Sequence, residues 1–187
     1  MATLFTTIKS DPKETDKAIQ WYKNQIRQLG SVNPTNIMQD RNHLVNKIMP
    51  GKMYLFFYDP KLKDKLPYYD RFPLVLPFRR MSDGFIGLNL HYLPYLARFK
   101  LLGYLTDYLN NDKMDNTTKL MFSWRILNSS SKLAPMNACV KRYLLDHVES
   151  RFFEVPINNW ITASQLPVEK FIGADKNAVW KDSRKKY

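Results

Sequence analysis

The residues best equipped for chemistry in this chain are His43, His91 and His147, the single Cys139, and the run Asp59-Pro60-Lys61. The histidines stand 48 and 56 residues apart, which matches no local metal-ligand spacing. No metal is expected. His91 falls on the polar parity of an apolar strand and reads as a hydrogen-bonded surface histidine. A catalytic thiol needs a base beside it. His147 follows Cys139 by eight residues, about two turns along a helix, and is too far along it to reach the thiol. Cys139 lies in Ala-Cys-Val and reads as a small core residue. Asp59-Pro60-Lys61 follows a strand pattern. With Asp64, Asp70 or Glu154 as a second acid it has the parts of a metal-dependent nuclease. Asp-Pro is equally an ordinary turn start, and that reading is preferred. Gly84 and Gly87 lie in a hairpin without the lysine and serine of a phosphate loop. The sequence therefore predicts a non-enzymatic protein without a cofactor.

Charge is the stronger signal. The chain carries 29 Lys and Arg against 17 Asp and Glu, a formal net charge of +12. Such a balance attracts a polyanion, whether nucleic acid or an acidic protein. The cations are spread along the chain, so the fold must gather them. Candidates are Lys61, Lys63 and Lys65 in one loop, Arg79 and Arg80 at a hairpin mouth, and Lys141, Arg142 and Arg151 further on. Arg184, Lys185 and Lys186 close the list in the basic C-terminal segment. Phosphate tracking uses such side chains without reading bases. Tyr54, Tyr58, Tyr68 and Tyr69 are interleaved with them and could stack unpaired bases. Aromatic residues beside proline and leucine more often build a core or a protein interface, and that reading of these tyrosines is preferred. A subunit of a large assembly, using its Tyr, Trp, Met and Arg for neighbours, is a reading of the same composition.

The elements that must position these residues are legible in outline. Asp11, Pro12 and Glu14 are a helix start, and Ala18, Ile19, Tyr22, Ile26 and Leu29 recur at helical spacing up to Gly30. A weaker helix is expected from about Thr35 to Ile48. Pro50-Gly51 marks a turn. Met53–Tyr58 then reads as a strand buried on both faces, with Tyr54, Phe56 and Tyr58 on one side and Met53, Leu55 and Phe57 on the other. Phe72–Phe78 is a second strand, placed at an edge because of Pro73 and Pro77. Ser82-Asp83-Gly84 turns the chain into a third strand, Phe85–Tyr92. Pro94 opens a helix to about Leu109, Asp115 caps another, and Pro135–Glu149 is expected to be a third. Arg151–Val155 reads as a strand, and Pro156 opens a short helix that Leu166-Pro167 ends. From Gly173 an extended basic tail is expected, with Val179 and Trp180 as an anchor.

This pattern predicts an α+β protein: a helical N-terminal arm (1–48), a core domain with a small antiparallel sheet or partial barrel (49–172), a helical C-terminal half and a basic tail (173–187). At 187 residues the chain can bury roughly 70% of its unfolded surface without a staple. One cysteine rules out an intramolecular disulfide and fits a reducing compartment. No apolar run reaches the ~18 residues of a membrane span, and no signal peptide is recognised at the start. Synthesis in the cytoplasm and no membrane partner are the expectations.

Three stretches carry a further signal: GKMYLFFYDPKLKDKLPYYDRFPLVLPF, GFIGLNLHYLP and CVKRYLLDHVESRFFEVPINNW. They resemble small virion proteins of T-even-like contractile-tailed phages, a group to which the label DNA end protector is attached. The resemblance runs from about Gly51 to Trp160 and continues to WKDS at Trp180 to Ser183. It implies a structural virion component at the head–tail connector, acting on double-stranded DNA and on other virion proteins within a multi-subunit assembly. A baseplate or tail subunit that binds only protein is the alternative. No catalytic motif and no site residue come with the resemblance.

Overall fold

The computed structural model describes residues 15–28, 32–109, 125 and 134–185. Short apolar runs punctuated by Pro, Gly and Asp form eight strands among them: β1 (Leu44–Val45), β2 (Met53–Leu55), β3 (Tyr69–Asp70), β4 (Leu74–Arg80), β5 (Gly84–Asn89), β6 (Val140–Leu144), β7 (Phe152–Val155) and β8 (Phe171–Ile172). Six make an antiparallel sheet in the order β1-β7-β2-β4-β5-β6, and β3 pairs with β8 as a separate ribbon. The helices are α1 (Thr15–Gln28), α2 (Pro34–Ile37), α3 (Tyr95–Leu109), α4 (Ala134–Asn137), α5 (Trp160–Gln165) and α6 (Lys176–Lys185). The class is α+β, as the sequence predicts.

The sheet curls. The ring of Phe56, just after β2, lies 5.9 Å from Phe85 on β5, 5.3 Å from Tyr143 on β6 and 5.1 Å from Phe152 on β7. In a flat sheet β6 and β7 would stand four strand spacings apart, roughly 19 Å. Wrapping around one aromatic cluster removes that distance. Parity along β2 follows the sequence: Tyr54, Phe56 and Tyr58 enter this cluster, while Met53 and Leu55 join the larger core on the other face. That second face is covered by Tyr22 and Ile26 of α1, Leu101, Leu102 and Leu105 of α3, Trp160 of α5 and Val179 of α6.

A buried cation ties the helical layer together. The Arg98 side chain on α3 is fully buried and paired with Glu169 at 2.7 Å. Its guanidinium also donates to the carbonyls of Leu93 (2.7 Å), Ser164 (2.9 Å) and His91 (3.1 Å). Tyr95 and Trp180 flank it, their ring centroids 4.6 and 5.6 Å away. The Trp180 indole donates to the same His91 carbonyl at 2.8 Å, which seats α6 on the core.

Several elements differ from expectation. Pro135–Glu149 is not a helix: after the four residues of α4, β6 pairs along the whole of β5 up to Leu88. The open edge of β5 outcompetes the local helical preference, and Gly84 allows the approach. A Cβ on Gly84 would lie 1.9 Å from the Tyr143 carbonyl oxygen. Thr35–Ile48 is likewise not one helix. Asn33 caps α2, Asp40 caps a 3-10 turn at Arg41–His43, and Leu44 and Val45 pair with Phe153 and Phe152. β4 is an interior strand between β2 and β5, and Pro77 is accommodated where the register shifts before Arg79. The C-terminal segment is helical, with Val179 and Trp180 buried, because that apolar pair needs one face of a helix to reach the core. The proposed cap at Asp11, the stop at Gly30 and the Asp115 helix, Arg125 apart, fall outside the described residues.

Candidate nucleic-acid interface

Beyond β2 the chain turns through Pro60, where the amide of Lys63 bonds the Pro60 carbonyl at 3.1 Å and that of Lys65 bonds Leu62 at 2.9 Å. Lys61, Lys63 and Lys65 stand exposed on this turn. Asp59 holds Lys63 at 2.8 Å and Arg71 at 3.1 Å. The chain then runs into β3, whose partner β8 is followed by Gly173 at φ +92°, against the Pro67 carbonyl. On the far side stands β6. Between them lies a groove of about 270 Å³, lined by Tyr58, Tyr68, Tyr69, Tyr92 and Tyr143, with Lys141 and Arg142 on the β6 rim.

The groove floor is a buried polar cluster centred on Asp70. The buried Asp70 carboxylate accepts from His91 Nδ1 (2.7 Å) and Asn89 Nδ2 (3.1 Å) on one oxygen. Its other oxygen accepts from the amides of Phe72 (3.1 Å) and Lys170 (3.3 Å). Burial works against the charge, but His91, Asn89 and the Phe72 amide outweigh it and hold the carboxyl below its ordinary value. Asn89 Oδ1 in turn accepts from the His91 amide at 3.0 Å. Among the described residues, His91 Nε2 has no hydrogen-bond partner. The surface reading of His91 is therefore corrected: its side chain is wholly buried, because Asp70 supplies the partner its polar ring needs.

Burial raises the phenol pKa values of Tyr58, Tyr92 and Tyr143, and burial with Asp182 raises that of Tyr68. The rings stay neutral and add no negative charge against a phosphate. Lys141 Nζ lies 4.1 Å from the centre of the Tyr92 ring. Arg142 is held by Asp83 at 2.6 Å. Tyr68 donates to Asp182 of α6 at 2.6 Å, which places Arg184 and Lys185 within one turn of the groove wall.

The cations named from the sequence lie up to 124 residues apart in the chain, Lys61 to Lys185, and of them Lys141 and Arg142 line the groove. Arg79 and Arg80 lie at the end of the β4–β5 hairpin, where Arg79 registers with Ile86 and Ile86 with Arg142 across the strands. Arg80 donates to the Ile48 carbonyl. Arg151 does not line the groove: it clasps β1, donating to Leu44 O at 2.6 Å and Asn46 at 2.9 Å. Lys186 lies outside the described residues. Tyr54 is buried in the aromatic cluster and hydrogen-bonded to Met49 at 2.9 Å, so it does not line the groove. Tyr92, Tyr143 and Asn89 were missed as groove residues, since their placement depends on β6 being a strand. The alternation of Lys141 and Tyr143 against Arg142 is the signal that could have found them.

A family described as Phage T4 terminal DNA protecting protein matches residues 3–185. The chain belongs to this family. No curated protein and no solved structure matches it. The resemblance seen in the sequence is thereby confirmed, over more of the chain than its three stretches.

For a member of the terminal DNA protecting family the acids once weighed for a nuclease have other work. Asp59 neutralises Lys63 and Arg71, Asp70 anchors the groove floor, and Glu154 holds Lys52 at 2.6 Å. These three carboxylates have different partners, and Asp64 stands exposed on the Lys63–Lys65 turn. Cys139 is fully buried, and burial pushes its thiol up to about 12. Among the described residues, no helix is long and apolar enough to cross a membrane.

Proposed function

We propose that this protein is a non-enzymatic virion component that binds the end of linear duplex DNA at the head–tail junction and shields it. The observation that carries the reading is the tyrosine groove with Lys141 and Arg142 in its lining and the exposed Lys61 and Lys65 on the turn between its residues Pro60 and Leu66, in a chain of the DNA-protecting family. Lys61, Lys65 and Lys141 would meet backbone phosphates near the groove. Arg79 and Arg142, on one sheet face through Ile86, would extend the basic track along the hairpin, with Arg184, Lys185 and Lys186 contributing from the C-terminal side, while Arg80 registers with Phe85 and turns to the opposite face. Such contacts position a duplex without reading its sequence.

Binding of the full chain to linear and circular duplex of equal length, at two salt concentrations, tests this. The expected result is a preference for the linear form, and affinity that falls steeply with salt. The exposed pair Lys61→Glu/Lys65→Glu should weaken binding to every sequence alike. Equal binding to both forms would refute end protection.

A protein neighbour is supported by a second, separate feature. Met81 and Leu145 are 38% and 47% exposed and line a depression with Ile48 and Arg80. This face would seat another virion subunit, and a tail or baseplate position remains the alternative if DNA binding fails.

A further inference from the structure

The geometry points to a single unpaired terminal nucleotide as the occupant of the tyrosine groove, so that the protein recognises a frayed or overhanging end rather than a blunt one. This inference rests on the end-binding reading above. The groove, at about 270 Å³, has room for one base and its sugar but not for a duplex. Its walls are aromatic: Tyr68 and Tyr69 keep part of their ring surface accessible, while Tyr58, Tyr92 and Tyr143 are buried behind them. Every nucleobase has a π-face, so stacking on such walls is tolerant of sequence. Lys141 lines the groove where an adjoining phosphate would run, and Lys61 and Lys65 stand exposed on the turn between the lining residues Pro60 and Leu66.

The floor explains why a base would be accepted without being read. Both Asp70 oxygens are filled by four donors, and Asn89 is spent on Asp70 and the His91 amide. Reading a base edge requires open donors or acceptors. These two residues are occupied by each other and by the backbone. Asp70 and Asn89 therefore leave recognition to stacking on the tyrosine walls, which does not depend on which base ends the strand.

The test uses short duplexes with a blunt end, a one-nucleotide 3′ overhang or a one-nucleotide 5′ overhang, each with all four terminal bases, and anisotropy as the readout. Wild-type protein should favour one or both overhangs over the blunt end by about 5-fold to 150-fold, the span expected of one base stacked on aromatic rings. The four bases should differ far less than that. Tyr69→Leu should erase the overhang preference, and Tyr69→Phe should keep it. Because Tyr69 lies in a strand, Lys141→Met gives a second route and should also reduce the preference, with the melting temperature measured alongside because Lys141 packs over the Tyr92 ring. Equal affinity for blunt and overhanging ends would overturn the inference, and so would a preference that survives Tyr69→Leu. If blunt and overhanging ends bind equally but linear duplex still exceeds circular, the end-binding reading stands and only this inference fails. If linear and circular duplex bind equally, the failure lies in the end-binding reading itself.

Discussion

Replacing Arg98 with methionine removes the cation that joins α3, α5, the 3-10 turn at Leu90–Tyr92 and the Glu169 segment. Methionine fills much of the same space, so the loss is polar rather than a cavity. It leaves the Glu169 carboxylate, 3% exposed, without its cation, and removes a donor from three carbonyl oxygens, of which His91 O keeps the Trp180 indole. Removing one partner of a buried pair costs about 3–5 kcal/mol. That is a large share of a domain stability of about 5–15 kcal/mol. With a urea m-value of about 2 kcal/mol/M, the unfolding midpoint should fall by roughly 1.5–2.5 M. Arg98→Lys keeps a charge but cannot present a planar fork to four acceptors, and should lie between wild type and methionine. Adding Glu169→Gln to Arg98→Met removes the stranded charge. It should recover at least about 1 kcal/mol relative to additive single effects. A loss below about 1 kcal/mol for Arg98→Met, or strict additivity in the double variant, would refute the claim that this pair is coupled and buried.

Acid should unfold the protein partly through Asp70, whose carboxyl is held below its ordinary 3.8 by His91, Asn89 and the Phe72 amide against the opposing effect of burial. A carboxylate depressed in the folded state contributes stability that is full above its unfolded value and is lost as pH falls from about 4 through the lower folded value. Asp70→Asn should flatten the acid limb of stability measured against pH, and an unchanged limb would contradict the pairing. Gly84→Ala sets a Cβ 1.9 Å from the Tyr143 carbonyl oxygen on β6. It should destabilise the protein by about 1–3 kcal/mol in chemical denaturation, and a neutral result would mean that β6 yields easily.

The sequence alone determined the class, the both-sided burial of Met53–Tyr58, the hairpin at Ser82-Asp83-Gly84, the helix after Pro94 and the family resemblance. The structural readings rest on short-range physics, namely strand parity, turn residues and helix starts, while the resemblance rests on the wording of three stretches of sequence. The sequence also named the cations, and three of the groove tyrosines, Tyr58, Tyr68 and Tyr69, as candidates for stacking. What it could not supply was their assembly. Lys141 and Arg142 looked helical because the local pattern of 135–149 allows it, and only the open edge of β5, offered by residues 84–88, made that segment a strand. His91 looked like a surface residue because its partner, Asp70, is 21 residues away in the chain and reaches it only through the β3–β8 ribbon. Pro77 argued for an edge, yet a local register shift let it sit inside the sheet. The groove between the Pro60 turn, β3 and β6 comes from pairings distant in sequence, and local propensity carries no information about which edges meet.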